Sequence, residues 1–206
     1  MKPSFLPDAA LPLFPLHTVL FPDGLLELKI FESRYLDLIS RCMREHVPFG
    51  VVALKSGSEA RVSGTPVAMF DAGTLAELIE VDSAEANILL VRCRGTQRFS
   101  LGATQQQADG LWLGDARPLG DDPIVAPSAT HGNVVKSLLD AVATLAAQGA
   151  EPFLPPHRFE SAGWVANRWC EILPLPVDAK HRLLGLDPLA RLDIVDSLMR
   201  VRHTPH

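Results

Sequence analysis

LPLFPLHTVLFPDGLLELKIFESRY, residues 11–35, changes its period once, and that change decides the fold. Up to Ile30 the pattern suits an extended chain. Pro12, Pro15 and Pro22 cannot donate a ladder hydrogen bond. They belong at strand ends, on an edge, or in an extended lead-in. Val19-Leu20-Phe21 is a short strand candidate. Pro22-Asp23-Gly24 predicts a turn: Pro presets φ, Asp bonds its own backbone, and Gly accepts positive φ. Residues 25–30 predict a second strand, with Leu26, Leu28 and Ile30 on one face and Leu25, Glu27 and Lys29 on the other. From there Phe31, Tyr35, Leu38, Ile39 and Cys42 recur at helical spacing. An amphipathic helix over residues 32–45 follows, with Phe31 and Tyr35 packed into the core.

Working outward, residues 49–54 form an apolar run behind Pro48 and predict a buried strand. Residues 73–81 and 88–93 read as a hairpin turning at 82–87. Gly95-Thr96-Gln97 predicts a bulge before Arg98-Phe99-Ser100-Leu101 resumes the ladder. Residues 111–116 supply a last strand. Short strands separated by turns predict an antiparallel, barrel-like half.

The composition shifts at Leu119-Gly120-Asp121-Asp122-Pro123, which divides the chain into a β-rich part, 1–120, and a helical part, 121–206. In the latter, Val134, Val135, Leu138, Leu139, Val142 and Leu145 form one stripe over 128–148, with Gly149 as the stop. Residues 162–173 predict a second helix, capped by Ser161 and ended by Pro174, with Trp164, Val165, Trp169, Ile172 and Leu173 inward. A third covers about 178–184. A fourth starts at Asp187-Pro188, an N-cap followed by proline at the first helical position, and carries Leu189, Leu192, Val195, Leu198 and Met199. Residues 204–206 read as a frayed tail.

The chain has 206 residues, 47% hydrophobic and 21% charged, with net charge −5. That balance gives no electrostatic reason to bind nucleic acid or an anionic membrane. No apolar run approaches the ~20 residues that span a bilayer. Pro7, Pro12 and Pro15 break the N-terminal apolar run that a signal peptide would need. A cytoplasmic location is expected. Cys42, Cys93 and Cys170 are far apart and form no CxxC pair, so free buried thiols are expected and no cofactor or metal is called for. The histidines do not repeat at the i, i+4 spacing of a helical metal site.

The blocks Leu11-Pro12-Leu13-Phe14-Pro15-Leu16, Val19-Leu20-Phe21-Pro22 and Ile30-Phe31-Glu32-Ser33-Arg34-Tyr35 resemble the opening signature of the Lon protease N-terminal, substrate-binding domain family. Phe49-Gly50-Val51-Val52, Gly73-Thr74-Leu75-Ala76, Gly95-Thr96-Gln97-Arg98-Phe99 and the block 164–192 follow in the family's order. The resemblance implies an α+β fold: a PUA-like antiparallel β pseudo-barrel with a packed helix, then a C-terminal α-helical bundle. It implies a non-catalytic module that recognises unfolded polypeptide or a specific protein partner, a separate ATPase or protease among the candidates. The chain has no G-x-x-x-x-G-K-[ST] run to cradle phosphate. Lys136 and Ser137 are neighbours on a helix and diverge by about 100°, so they make a poor nucleophile–base pair.

Two sets of residues stand out. Glu32, Arg34 and Tyr35 fit the polar rim of a peptide-binding surface, and fit equally an intramolecular cap with packing. Arg92, Arg94 and Arg98 form a local cluster of one charge sign: a solvated strand face, or an anion or RNA contact. An RNA-binding PUA-like protein and a small-molecule enzyme are therefore the alternative readings. The RNA reading lacks interleaved aromatic residues for base stacking, and the enzyme reading lacks a constellation of reactive groups.

Overall fold

β1, Leu11–Leu16, is the strand that closes the sheet. The structure is a computed structural model and describes residues 10–59, 66–85 and 87–202. Pro7, His203 and the tail 204–206 lie outside the described residues. The chain divides into two compact units, Met1–Gly120 and Asp121–His206.

The first unit contains β1, then β2 (Leu25–Ile30), α1 (Ser33–Glu45), β3 (Phe49–Ser56), β4 (Ala68–Glu85), β5 (Ile88–Gln106) and β6 (Trp112–Pro118). The strand order is β2-β5-β4-β3-β1-β6, and β5 also pairs with β6. Five strands thus form a closed ring, β1-β3-β4-β5-β6, with β2 flanking β5. The sheet is mixed rather than wholly antiparallel, because β1 runs parallel to β3. The long connection through β2 and α1 permits that crossover.

The first strand is Leu11–Leu16, not Val19-Leu20-Phe21, whose residues form a buried loop. The register explains how two prolines sit inside a doubly paired strand. β6 pairs only with residues 11–13 of β1, and β3 only with residues 13–16. Pro12 faces Leu113 where it cannot bond β6, so its nitrogen points to the β3 side, just before β3 pairing begins. By alternation the Pro15 nitrogen points to the β6 side, beyond where β6 pairing ends. Each missing donor falls where no partner waits.

The ring has a narrow interior holding Leu11, Leu13, Val52, Leu75 and Phe99. Glycine makes room for them. A Cβ at Gly73 would lie 2.3 Å from the Val51 carbonyl oxygen and 2.6 Å from the Phe99 ring; one at Gly114 would lie 2.5 Å from Leu101. The outer face carries a second cluster in which Phe14, Leu16, Phe49, Val51, Val91 and Cys93 meet Tyr35, Leu38, Ile39 and Cys42 of α1. The Tyr35 ring stacks on Phe14 with centroids 3.9 Å apart. Phe31 departs from expectation: it precedes the helix and is 64% exposed. β5 shows the expected bulge: between the pairs Ala76–Gly95 and Thr74–Arg98, Thr96 and Gln97 stand opposite Leu75 alone. There the Gly95 N–H donates to the Gly24 carbonyl, and Asp23, at φ 61°, donates to the Gly95 carbonyl.

The second unit contains a 3-10 turn (Ala129–His131), α2 (Gly132–Ala147), α3 (Ala162–Ile172), α4 (Val177–Leu184) and α5 (Pro188–Arg202). The helix ends follow their sequence signals. Gly149, at φ 78°, and Ala150 donate back to Ala146 and Leu145, closing α2 in a Schellman motif. Asp187 Oδ1 accepts from the Leu189 N–H at 2.9 Å and caps α5. Leu139 and Ile172 are exposed rather than inward, so each apolar stripe is narrower than expected.

Burial of titratable groups gives this core an alkaline limit. Burial, the leading cause, pushes the Cys42 thiol from 9.0 to about 11 and those of Cys93 and Cys170 to about 12. Tyr35 rises from 10.0 to about 12, again chiefly by burial, with Arg34 opposing. Each group holds its proton more tightly when folded. The stability they contribute is complete below the unfolded values and is lost as pH rises towards the folded ones. The thermal midpoint is expected to fall above about pH 9, each group contributing about 1.4 kcal/mol per pH unit. Cys93→Ala should make that slope shallower in a pH series of thermal melts. An unchanged slope would assign the alkaline loss to other groups.

Candidate functional site

The β4–β5 hairpin projects beyond the ring, because β3 pairs with β4 only as far as Ala76. Two local features stop β3 there. Pro48 cannot donate a ladder bond, and His46 ends α1 in the left-handed region at φ 53°. The chain turns away into the helix and, among the described residues, 77–85 of β4 pair on one side only, with β5.

Ile79 is an extra residue in this segment: Leu78 pairs with Cys93 and Glu80 with Arg92, leaving Ile79 unmatched. The bulge resets the alternation. Leu78 and Val81 pack against the outer core. Ile79 is left 46% exposed beside Met43 of α1, 49% exposed. Between β4 and the end of α1 lies an open groove of about 510 Å³. Cys42, Met43, Val47, Pro48, Leu78, Ile79 and Val81 give it apolar walls; Glu77, Glu80 and His46 are its polar members.

The signature residues sit elsewhere in this unit, at the start of α1. Arg34 is 6% exposed. Its Nη1 donates to the Gly110 carbonyl at 2.7 Å and its Nη2 to the Glu59 carbonyl at 3.0 Å. The same Nη2 lies 2.9 Å from Glu32 Oε2, and the guanidinium carbon stands 4.4 Å from the Tyr35 ring centre. Tyr35 is 3% exposed, and its hydroxyl has no hydrogen-bond partner among the described residues. Arg34 and Tyr35 therefore face inward: Arg34 ties two loops to the helix, and Tyr35 stacks on Phe14 of β1. Exposed Phe31 and half-buried Glu32 are the surface-facing members of the signature.

The arginines of β5 have acidic or carbonyl neighbours. Arg92 lies 3.0 Å from Glu80 and 3.3 Å from Glu27. Arg94 is opposite Glu77 in the ladder. Arg98 donates to the Gly120 carbonyl at 2.9 Å. The structure does not bring them together as one uncompensated basic face.

The second unit holds a line of serine, histidine and aspartate that the sequence reading did not isolate. His131 Nδ1 is 2.9 Å from Ser128 Oγ, and its Nε2 is 2.8 Å from Asp193 Oδ1. The Ser128 hydroxyl also meets the Thr130 hydroxyl at 2.7 Å. This is a capping box at the 3-10 turn, joined to α5 through Asp193. The Asp193 side chain is 69% exposed, unlike the buried carboxylate that orients a catalytic histidine. Among the described residues no group of three His, Cys, Asp or Glu side chains could hold a metal ion. Among the same residues no helix is long and apolar enough to cross a membrane.

The whole fold is similar to the crystal structure of a Lon N-terminal domain protein from Xanthomonas campestris. The TM-score is 0.72 at 29% identity, over 92% of this chain and 98% of that one. It is also similar in fold to the N-terminal domain of the Mycobacterium avium complex Lon protease, with TM-score 0.59 at 13% identity, over 91% of this chain and 96% of that one. No curated protein matches in sequence. The family model of the ATP-dependent protease La (LON) substrate-binding domain matches residues 10–201. Signature, mixed α+β fold and near-complete coverage agree, and the chain belongs to the Lon substrate-binding domain family.

Proposed function

We propose that this chain is a non-catalytic recognition module that binds apolar stretches of polypeptide. The observation that carries the reading is the open groove between α1 and β4, apolar along its walls and acidic at its edge. Concave apolar surfaces with a few polar groups are the usual form of a binding site. In this reading the ring of strands is a PUA-like barrel and α2–α5 are its accompanying bundle. Glu32 and Phe31 offer a second contact surface. Arg34 and Tyr35 act indirectly, Arg34 by holding the loops beside it and Tyr35 by packing the helix onto β1. An ATPase or protease on another chain would use what this module captures.

The compensated arginines of β5 speak against the RNA reading, which needs a continuous basic face. Reduced, carboxymethylated lactalbumin is the test ligand, with native lactalbumin and a short single-stranded RNA as comparisons. Fluorescence anisotropy should show binding of the unfolded chain and not of the other two. Equal binding of native lactalbumin, or RNA binding that weakens steeply with salt, would overturn the proposal.

A further inference from the structure

Residues 77–85 of β4 combine three properties on one edge. Among the described residues they pair on one side only. They face the apolar groove through Leu78, Ile79 and Val81. They carry Glu77, Glu80, Asp82 and Glu85. An unpaired edge presents a row of amide and carbonyl groups ready to template another strand. Bulges at Ile79 and between Ser83 and Glu85 interrupt it. Between them residues 80–83 run in regular register with β5, enough to seat a strand of about 13 Å.

We propose that this edge binds its client by strand addition: an extended segment of an unfolded chain pairs with residues 80–83 and lays apolar side chains into the groove. This rests on the polypeptide-recognition reading and names the mode of contact. Main-chain hydrogen bonds supply affinity without demanding a sequence, and the groove selects alternate side chains. The charge of the edge settles which segments fit. Glu80 is paired with Arg92 and Glu77 faces Arg94 across the ladder, while Asp82 and Glu85 stand opposite the uncharged Leu90 and Ile88; the edge therefore stays acidic, and the occupant is an apolar segment bearing basic residues. The acidic, bulged edge disfavours indiscriminate pairing, the same device that protects edges from aggregation.

The probe is a fluorescein-labelled peptide of alternating valine and lysine, with unfolded lactalbumin as competitor. The peptide should bind, and lactalbumin should displace it. N-methylation of every peptide amide removes the donors and keeps the side chains, and should weaken binding about tenfold or more. Ile79→Arg and Glu77→Lys should weaken it comparably, and Ile124→Arg, at an exposed residue of the second unit, should not. Undiminished binding of the N-methylated peptide overturns strand addition. Lactalbumin binding that survives Ile79→Arg overturns this edge and leaves polypeptide recognition standing. Failure of the wild type to bind lactalbumin overturns both. A dimer that Ile79→Arg abolishes gives the edge to a second copy and overturns the client assignment.

Discussion

Arg191→Ala is expected to destabilise the helical unit by about 3–5 kcal/mol, the usual cost of breaking a buried ionic cluster from one side. Arg191 has no exposed surface. Its Nε donates to the Leu183 carbonyl at 2.8 Å, and its Nη2 to the Leu186 carbonyl at 2.7 Å and the Leu184 carbonyl at 3.4 Å. Its Nη1 donates to Asp122 Oδ2 at 2.9 Å and to Asn167 Oδ1. One side chain of α5 thus donates to the carbonyls where α4 ends, and holds α3 and the entry segment as well. Alanine would take a donor from all of them at once. Domains of this kind have only about 5–15 kcal/mol in total, so much of the margin goes. Urea unfolding followed by tryptophan fluorescence reports on this unit through Trp164 and Trp169. Arg191→Met with Asp122→Leu should recover part of the loss, because it removes both charges and keeps the volume. A single mutant within about 1 kcal/mol of wild type would show that water replaces the guanidinium.

Gly73→Ala is expected to cost about 3 kcal/mol, the upper end of overpacking in a filled core, and clearly more than Gly50→Ala. The reason is what each new methyl meets. At Gly73 it would lie 2.3 Å from the backbone oxygen of Val51, on the paired strand. At Gly50 it meets only side-chain ends, Leu11 and Leu13 methyls at 2.7 and 2.9 Å and the Phe99 ring at 3.0 Å. Side-chain ends can turn aside and a ladder carbonyl cannot. Leu11→Ala, which removes the nearest side-chain end at Gly50, should therefore relieve Gly50→Ala more than Gly73→Ala in a double-mutant series. Equal costs at the two glycines would mean that the strands shift to accommodate either methyl.

The parts of the fold legible in sequence were those fixed by local chemistry. Asp187-Pro188 starts α5 and Gly149 ends α2 because caps depend on a few adjacent residues. β1 was misplaced because two prolines disqualify a strand by local rules. Only the register, set by β3 and β6 far along the chain, shows that neither missing donor was needed. Phe31 continues the helical period, which predicts burial, yet α1 begins at Ser33, and Phe31 lies outside the repeat that would bury it. The groove was invisible for a similar reason. Its shape depends on the unmatched Ile79, and alternating residues do not disclose which one the partner strand will skip. The arginines of β5 stand out by spacing, but the acidic residues beside them, Glu27 and Glu80 at Arg92 and Glu77 opposite Arg94, come from other strands.

β1 is made first and closed last. Its β6 partner begins at Trp112, about a hundred residues later, so at about 5–20 residues per second on the ribosome the segment Leu11–Leu16 waits for several seconds or more. Throughout that interval one side of an apolar strand lies open to other nascent chains. Pro15 interrupts the row of donors on that side, as Pro12 does on the side that β3 covers, and both make the strand a poor template for foreign strands. The residues that look out of place in the finished sheet thus act as guards during synthesis, and their replacement by valine would be felt less in the mature protein than in its yield.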